Sequence, residues 1–133
     1  MSTLVDSNVL FDIATKDPTW ARWSLVQLDA AAIRGPLIIN DIVYAELSVR
    51  YGRVEDVDTF VELAGLTQSA MPRAALFLAG KAFQAYRASG GVRTGVLADF
   101  FIGAHASVEA LPLLTRDVRR YRTYFPKLKL IAP

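Results

Sequence analysis

Short apolar runs alternate along this chain with longer stretches of helical spacing. Thr3-Leu4-Val5 is an apolar run that stops at Asp6-Ser7-Asn8, the pattern of a buried strand followed by a helix N-cap. Val9 to Ala14 spaces its apolar residues for a short helix. Pro18 stands where a first helical turn tolerates it, and Trp20 to Ile33 keeps helical periodicity up to the Gly35-Pro36 break. Leu37-Ile38-Ile39 predicts a second buried strand, with Asn40 or Asp41 capping a helix that runs to about Tyr51 and ends at Gly52. Val54–Leu66 and Pro72–Ala88 read as two further helices, Gly91–Gly95 as a loop and Leu97–Ala110 as a strongly apolar helix. Leu111–Leu114 then predicts a strand, Arg116 to about Tyr124 a helix, and Leu128–Ile131 a last strand. Strands alternating with helices predict an α/β fold on a short, mainly parallel sheet. No repeat, linker or low-complexity tract divides the chain, so residues 1–133 are expected to form a single domain.

Composition narrows the chemistry. Apolar residues make up 53% and charged residues 21%, enough to bury a sizeable core. There is no cysteine and one histidine, which removes disulfide frameworks, thiol nucleophiles, thiolate zinc sites and multi-histidine metal sites. A bound metal would have to be held by oxygen. The start of the chain lacks the basic and apolar regions of a signal peptide, and a cytoplasmic protein is expected. Val96 to Leu114 has the length of a membrane span, but Asp99, His105 and Glu109 interrupt it, and it reads as a buried helix and strand with no membrane role. The net charge is only +2, yet eleven of the fifteen basic residues are arginine, whose planar fork suits phosphate.

Four carboxylates stand at informative places. Asp6 falls just past the first predicted strand and Asp117 three residues past Leu114, at the edge where open α/β sheets bind ligands. Each also has an ordinary reading as a helix cap or a first-turn acid. Glu46 lies within a largely apolar helical stripe, where either a pair with Arg50 at i+4 or a functional role would account for it. Asp99 opens the apolar helix on a row of small residues, Gly103, Ala106 and Ala110. His105 and Glu109 share another row and are expected to pair, His105 being structural. Clustered carboxylates repel unless a divalent cation neutralises them. Magnesium or manganese would suit such oxygen donors and leave positions for a phosphate oxygen and an attacking water.

The order Leu4-Val5-Asp6-Ser7-Asn8-Val9-Leu10, Ile42-Val43-Tyr44-Ala45-Glu46-Leu47, Ala98-Asp99-Phe100-Phe101-Ile102-Gly103-Ala104-His105-Ala106 and Leu114-Thr115-Arg116-Asp117 resembles the four acidic motifs of PIN domains. The third and fourth are especially similar to the VapC toxin branch. The resemblance spans nearly the whole chain and implies a three-layer α/β sandwich and a Mg2+- or Mn2+-dependent endoribonuclease. In that reading Asp6, Glu46, Asp99 and Asp117 are the metal-site and catalytic acids. Asp6 and Asp99 would be direct ligands, and Glu46 and Asp117 would act directly or through water. Ser7 and Thr115 match polar positions that help orient them. The resemblance further implies a homodimer inhibited by a cognate VapB-type antitoxin that enters the active-site groove. One position departs: Ala98 stands where many relatives carry proline before the third acid.

Arg87, Arg93 and Arg116 are the candidate RNA contacts, in a set of basic residues that includes Arg119, Arg120 and Arg122. Val57, Phe60, Val61, Leu63, Leu76, Phe77, Leu78 and Phe83 supply more apolar surface than one short sheet needs, and part of it is expected to form a groove for dimerisation and an antitoxin helix. Three rival readings compete with this one. A receiver-like regulatory domain needs an acidic pair after the first strand, a phosphoacceptor Asp after a middle strand and a late-strand lysine; here Ser7 follows Asp6 and the second strand ends in Asn40. A binding module whose acids only cap helices keeps the fold without catalysis. A haloacid-type phosphatase lacks its second Asp and its Thr in Asp6-Ser7-Asn8-Val9.

Overall fold

The computed structural model describes residues 1–93 and 95–133. Its elements run β1 (Thr3–Val5), α1 (Ser7–Ala14), α2 (Ala21–Arg34), β2 (Leu37–Ile39), α3 (Asp41–Ser48), α4 (Val54–Leu63), β3 (Leu66–Gln68), α5 (Arg73–Ala88), α6 (Leu97–Val108), β4 (Leu113–Leu114), α7 (Arg119–Tyr124) and β5 (Leu130–Ile131). The strands form one sheet in the order β3-β2-β1-β4-β5. Every described pairing is parallel, with Leu4 opposite Ile38 on one side and Leu113 on the other. Parallel strands covered on both faces need continuous apolar runs, and Leu4, Val5, Ile39, Leu113 and Leu114 are fully buried.

The path of the chain decides where a ligand can sit. From β1 it moves outward through β2 to β3, then crosses back to β4 and β5 on the other side of β1. Right-handed crossovers put α1 to α4 on one face and α5 to α7 on the other, the three-layer arrangement. Strand order reverses between β1 and β4, so their carboxyl ends bound a crevice at the switch point. The helix α6 lies beneath it, with Phe100, Ile102, Ala104 and Ala106 buried. Gly103 lets α7 approach closely: a Cβ there would fall 2.5 Å from the Phe125 ring and 3.1 Å from Tyr121.

Of the boundaries that differ from the sequence reading, α3 stops at Ser48 instead of about Tyr51, β4 begins at Leu113 instead of Leu111 and β5 at Leu130 instead of Leu128, and three others have a local cause. The helix expected over Val54–Leu66 stops at Leu63, and the turn through Ala64 and Gly65 (φ +70) leads into the edge strand β3. That strand buries only Leu66, so it carries no apolar run to betray it. The helix expected from Arg116 begins at Arg119, because the Thr115 hydroxyl accepts the Asp117 backbone N–H and holds those residues in a turn. The apolar helix ends at Val108, with Ala110 at positive φ before β4. Among the described residues, no helix is long and apolar enough to cross a membrane.

Candidate active site

Asp6 is the deepest of the four acids, 3% exposed at the end of β1, where its backbone N–H bonds the Leu114 carbonyl of β4. It occupies the N-cap position of α1, yet its side chain makes no cap bond. Its donors come instead from across the sheet. The Thr115 and Tyr121 hydroxyls each donate to Oδ2 at 2.8 Å, and the Asn8 amide approaches the same oxygen at 3.4 Å. Oδ1 has no side-chain donor among the described residues. Burial pushes the Asp6 carboxyl above its ordinary value. The Tyr121 and Thr115 hydroxyls and the Ser7 backbone N–H oppose that, while the Asp117 charge adds to it.

Glu46, in the last turn of α3, accepts the Ser7 hydroxyl at 2.9 Å. Burial lifts its carboxyl to about 6; the Ser7 bond works against this, and the charges of Asp6 and Asp99 work with it. The alternative pair with Arg50 is not formed among the described residues. Asp99, in the first turn of α6, is likewise lifted to about 6 by burial and then by Asp6. The Arg120 guanidinium opposes that rise from 2.9 Å. Asp117 is exposed, with Oδ1 facing the Arg119 N–H, and its charge acts on both Asp6 and Asp99. The four acids therefore share one electrostatic neighbourhood although they stand on four separate elements.

Three of them, Asp6, Asp99 and Asp117, line a cavity of about 40 Å³ together with Asn8, Arg120 and Tyr121; Glu46 does not line it. The cavity has room for an ion or a water or two. Among the described residues, no group of three or more acidic, histidine or cysteine side chains is arranged to hold a metal by itself. Magnesium does not require one: it binds through one or two carboxylates and retains several waters. The donor set fits a hard cation. On each of Asp6, Glu46 and Asp99 one carboxylate oxygen takes the close hydrogen bonds and the other has no side-chain donor among the described residues. The Ser7 hydroxyl bonds Glu46 and the fully buried Thr115 hydroxyl bonds Asp6.

Arg116, expected among the RNA contacts, has a different occupation. Its guanidinium grips Asp12 with two bonds of 2.8 Å and lies 5.3 Å over the Trp20 ring. Asp12 is 2% exposed and also accepts the Ser24 hydroxyl. A buried carboxylate demands a paired fork, so Arg116 ties the loop after β4 to α1 and α2. Arg87 rests 5.9 Å from the Phe83 ring centre. His105 is structural, but its partner is Asn40 rather than Glu109. The Asn40 carbonyl caps α3 through Val43, and its amide meets His105 Nδ1 at 3.1 Å. The histidine is thus the Nε2–H tautomer, and burial lowers its pKa. Asn40 at the end of β2 is committed to these contacts. Tyr121, Asn8, Asp12 and the Asp99–Arg120 pair were not foreseen: all are contacts between residues far apart in sequence or on a helix face with no periodic anomaly.

The PIN domain family model matches residues 3–126. No curated protein sequence matches the chain. Among solved structures, the chain is similar to one in VapBC2 from Rickettsia felis bound to a DNA fragment from their promoter. That match has 20% identity and a TM-score of 0.76, covering 100% of this chain and 99% of the other. VapBC-1 from nontypeable Haemophilus influenzae matches with 18% identity and a TM-score of 0.71, covering 99% and 98%. DNA-bound VapBC from Salmonella typhimurium matches with 17% identity and a TM-score of 0.68, also covering 99% and 98%.

Proposed function

The chain belongs to the PIN-domain family, and on that footing we propose that it is a Mg2+- or Mn2+-dependent endoribonuclease and the toxin half of a VapBC-type pair. The observation that carries the proposal is Asp6: a carboxylate 3% exposed, with no cation partner among the described residues and its hydroxyl donors gathered on one oxygen beside an ion-sized cavity. A structural carboxylate at that depth would be paired, as Asp12 is with Arg116.

Bound in the cavity, the metal would polarise the scissile phosphodiester and generate the attacking hydroxide from water. Asp6 and Asp99 are its direct protein ligands in this reading, and Glu46 and Asp117 act directly or through water. Thr115, Tyr121 and Asn8 hold Asp6 in place, and Ser7 holds Glu46, so the carboxylates are oriented before any ligand arrives. Glu46 and Asp99, both lifted to about 6 without a cation, would be held ionised by one bound beside them. The partner surface includes Leu63, Leu76 and Phe77 on α4 and α5, which are 83%, 45% and 67% exposed. Val57 is core and Phe60, Val61, Leu78 and Phe83 pack against the core, so the apolar excess is smaller than the sequence suggests. An amphipathic antitoxin helix and a second copy of this chain are its expected occupants, in a single-domain cytoplasmic protein.

The test is cleavage of single-stranded RNA by the purified protein with Mg2+ or Mn2+, with EDTA, and with the Asp6→Asn and Asp99→Asn variants. Cleavage that needs metal and both acids supports the reading. Undiminished cleavage in EDTA, or none by the wild type in either metal, refutes it. Growth arrest on expression, relieved by the upstream partner gene, tests the toxin role.

A further inference from the structure

Beside the acidic cavity lies a larger groove of about 250 Å³, lined by Tyr86, Arg93, Arg119, Arg120, Thr123 and Tyr124. Three of these six residues are arginines and none is acidic. Arg120 alone lines both the groove and the acidic cavity. A concentrated positive wall that shares Arg120 with a cavity lined by three acids is the arrangement a polyanion needs if one of its phosphates is to reach a metal there.

The groove is held in shape by local structure. The Arg93 backbone N–H donates to the Tyr86 hydroxyl at 3.1 Å, and a Cβ on Gly91 would fall 2.5 Å from the Tyr86 ring. The loop therefore lies flat on that ring and carries Arg93 toward Arg119 and Arg120 of α7. Tyr86 and Tyr124 meet edge to face at 6.1 Å and extend the aromatic cluster around Phe100. Both rings line the groove together with the three arginines. Arg116 and Arg87, the other candidates from the sequence, do not line the groove; Arg116 is taken by Asp12.

We propose that this groove holds the phosphate backbone of single-stranded RNA beside the scissile bond, with Arg120 coupling it to the metal acids. The proposal rests on the ribonuclease reading and deepens it. In the metal-free chain Arg120 spends its charge on Asp99. A cation on the acids takes over that neutralisation and frees the guanidinium for a phosphate. Arg93 and Arg119 supply the standing charge of the groove, and Arg120 supplies charge that depends on metal occupancy.

The experiment is fluorescence anisotropy of a labelled single-stranded RNA with the full chain in EDTA, over a range of salt, for the wild type, Arg93→Ala, Arg119→Ala and the double variant. Manganese titration calorimetry is run on the same proteins and on Arg120→Ala. Each lost phosphate contact should reduce the slope of log affinity against log salt by about 0.7, so the double variant should lose about 1.4. Manganese affinity should be unchanged in that variant and several-fold tighter in Arg120→Ala, which removes the competitor on Asp99. A slope indifferent to Arg93 and Arg119, equal binding of polyglutamate, or looser manganese binding in Arg120→Ala overturns the proposal. Magnesium added to the same RNA separates the two ideas. Binding through the groove without cleavage sinks the ribonuclease reading alone, and cleavage with an unaltered salt slope sinks the groove alone.

Discussion

Replacing Asp99 by Asn should stabilise the metal-free protein by an amount that grows with pH. In the folded chain Asp99 titrates at about 6, against 3.8 for the free side chain, because burial and then the Asp6 charge oppose its ionisation more than Arg120 favours it. A carboxyl whose folded pKa exceeds its unfolded one binds more protons in the native state between those values. Stability therefore falls as pH rises through about 4 to 6 and stays reduced above. Roughly two units at about 1.4 kcal/mol each set an upper figure of ~3 kcal/mol. The side chain is 32% exposed, so screening reduces the expected gain to about 1–2 kcal/mol. Urea unfolding followed by fluorescence of Trp20 and Trp23, in EDTA from pH 4 to pH 8, measures variant against wild type, and titrations common to both cancel. The difference should be near zero at pH 4 and reach its full value by pH 7. Saturating Mg2+ should reverse the order, since the wild type gains binding free energy that the variant lacks. A difference that is flat with pH, or a variant less stable at pH 8 in EDTA, would refute the claim that the site holds Asp99 ionised against its surroundings.

Three further outcomes follow from named contacts. Tyr121→Phe keeps the ring and deletes the 2.8 Å donor to Asp6, so kcat/KM should fall on the order of ten-fold, as for loss of a bond to a charged group. Its acid limb should move to higher pH, because that hydroxyl favours the ionised form of Asp6; an unshifted pH profile refutes the positioning role. Glu46→Gln should lose cleavage while Arg50→Ala leaves it unchanged, because Glu46 bonds Ser7 and not Arg50; equal losses in a double-mutant cycle would restore the ion-pair explanation. Arg116→Ala should cost about 3 kcal/mol in urea unfolding by stranding the buried Asp12 carboxylate. Arg116→Lys should recover little of it, since a lysine cannot reproduce the two-bond fork; full recovery would reduce the fork to a point charge.

What the sequence disclosed about the fold follows the physics of burial. β1 and β2 are buried strands, so their apolar runs stand out against the polar residues that end them, and both lie where the pattern put them. β3 is an edge strand with two of its three residues exposed, and nothing in Leu66-Thr67-Gln68 distinguishes it from the end of a helix. The parallel sheet and its switch point between β1 and β4 come from pairing, which a one-dimensional pattern only implies.

The site divides along the same line. The four acids could be found because each interrupts a pattern: two close apolar strands, one sits in an apolar stripe, and one opens an apolar helix. Their partners could not, because helical spacing reports only neighbours three or four residues away. It offered Arg50 to Glu46 and Glu109 to His105, and in both cases a distant group won: Ser7, 39 positions away, and Asn40, 65 positions away. Exposed helical pairs contribute only a few tenths of a kcal/mol, whereas a buried polar group left without a partner costs several times that. Packing therefore selects the partner that reaches the buried face, whatever its separation in sequence. Asp6 carries the argument furthest, since Thr115 and Tyr121 come from 109 and 115 positions away to hold it. Those donors assemble only when β4 and α7 close against β1, so the orientation of the central acid is a consequence of completing the sheet.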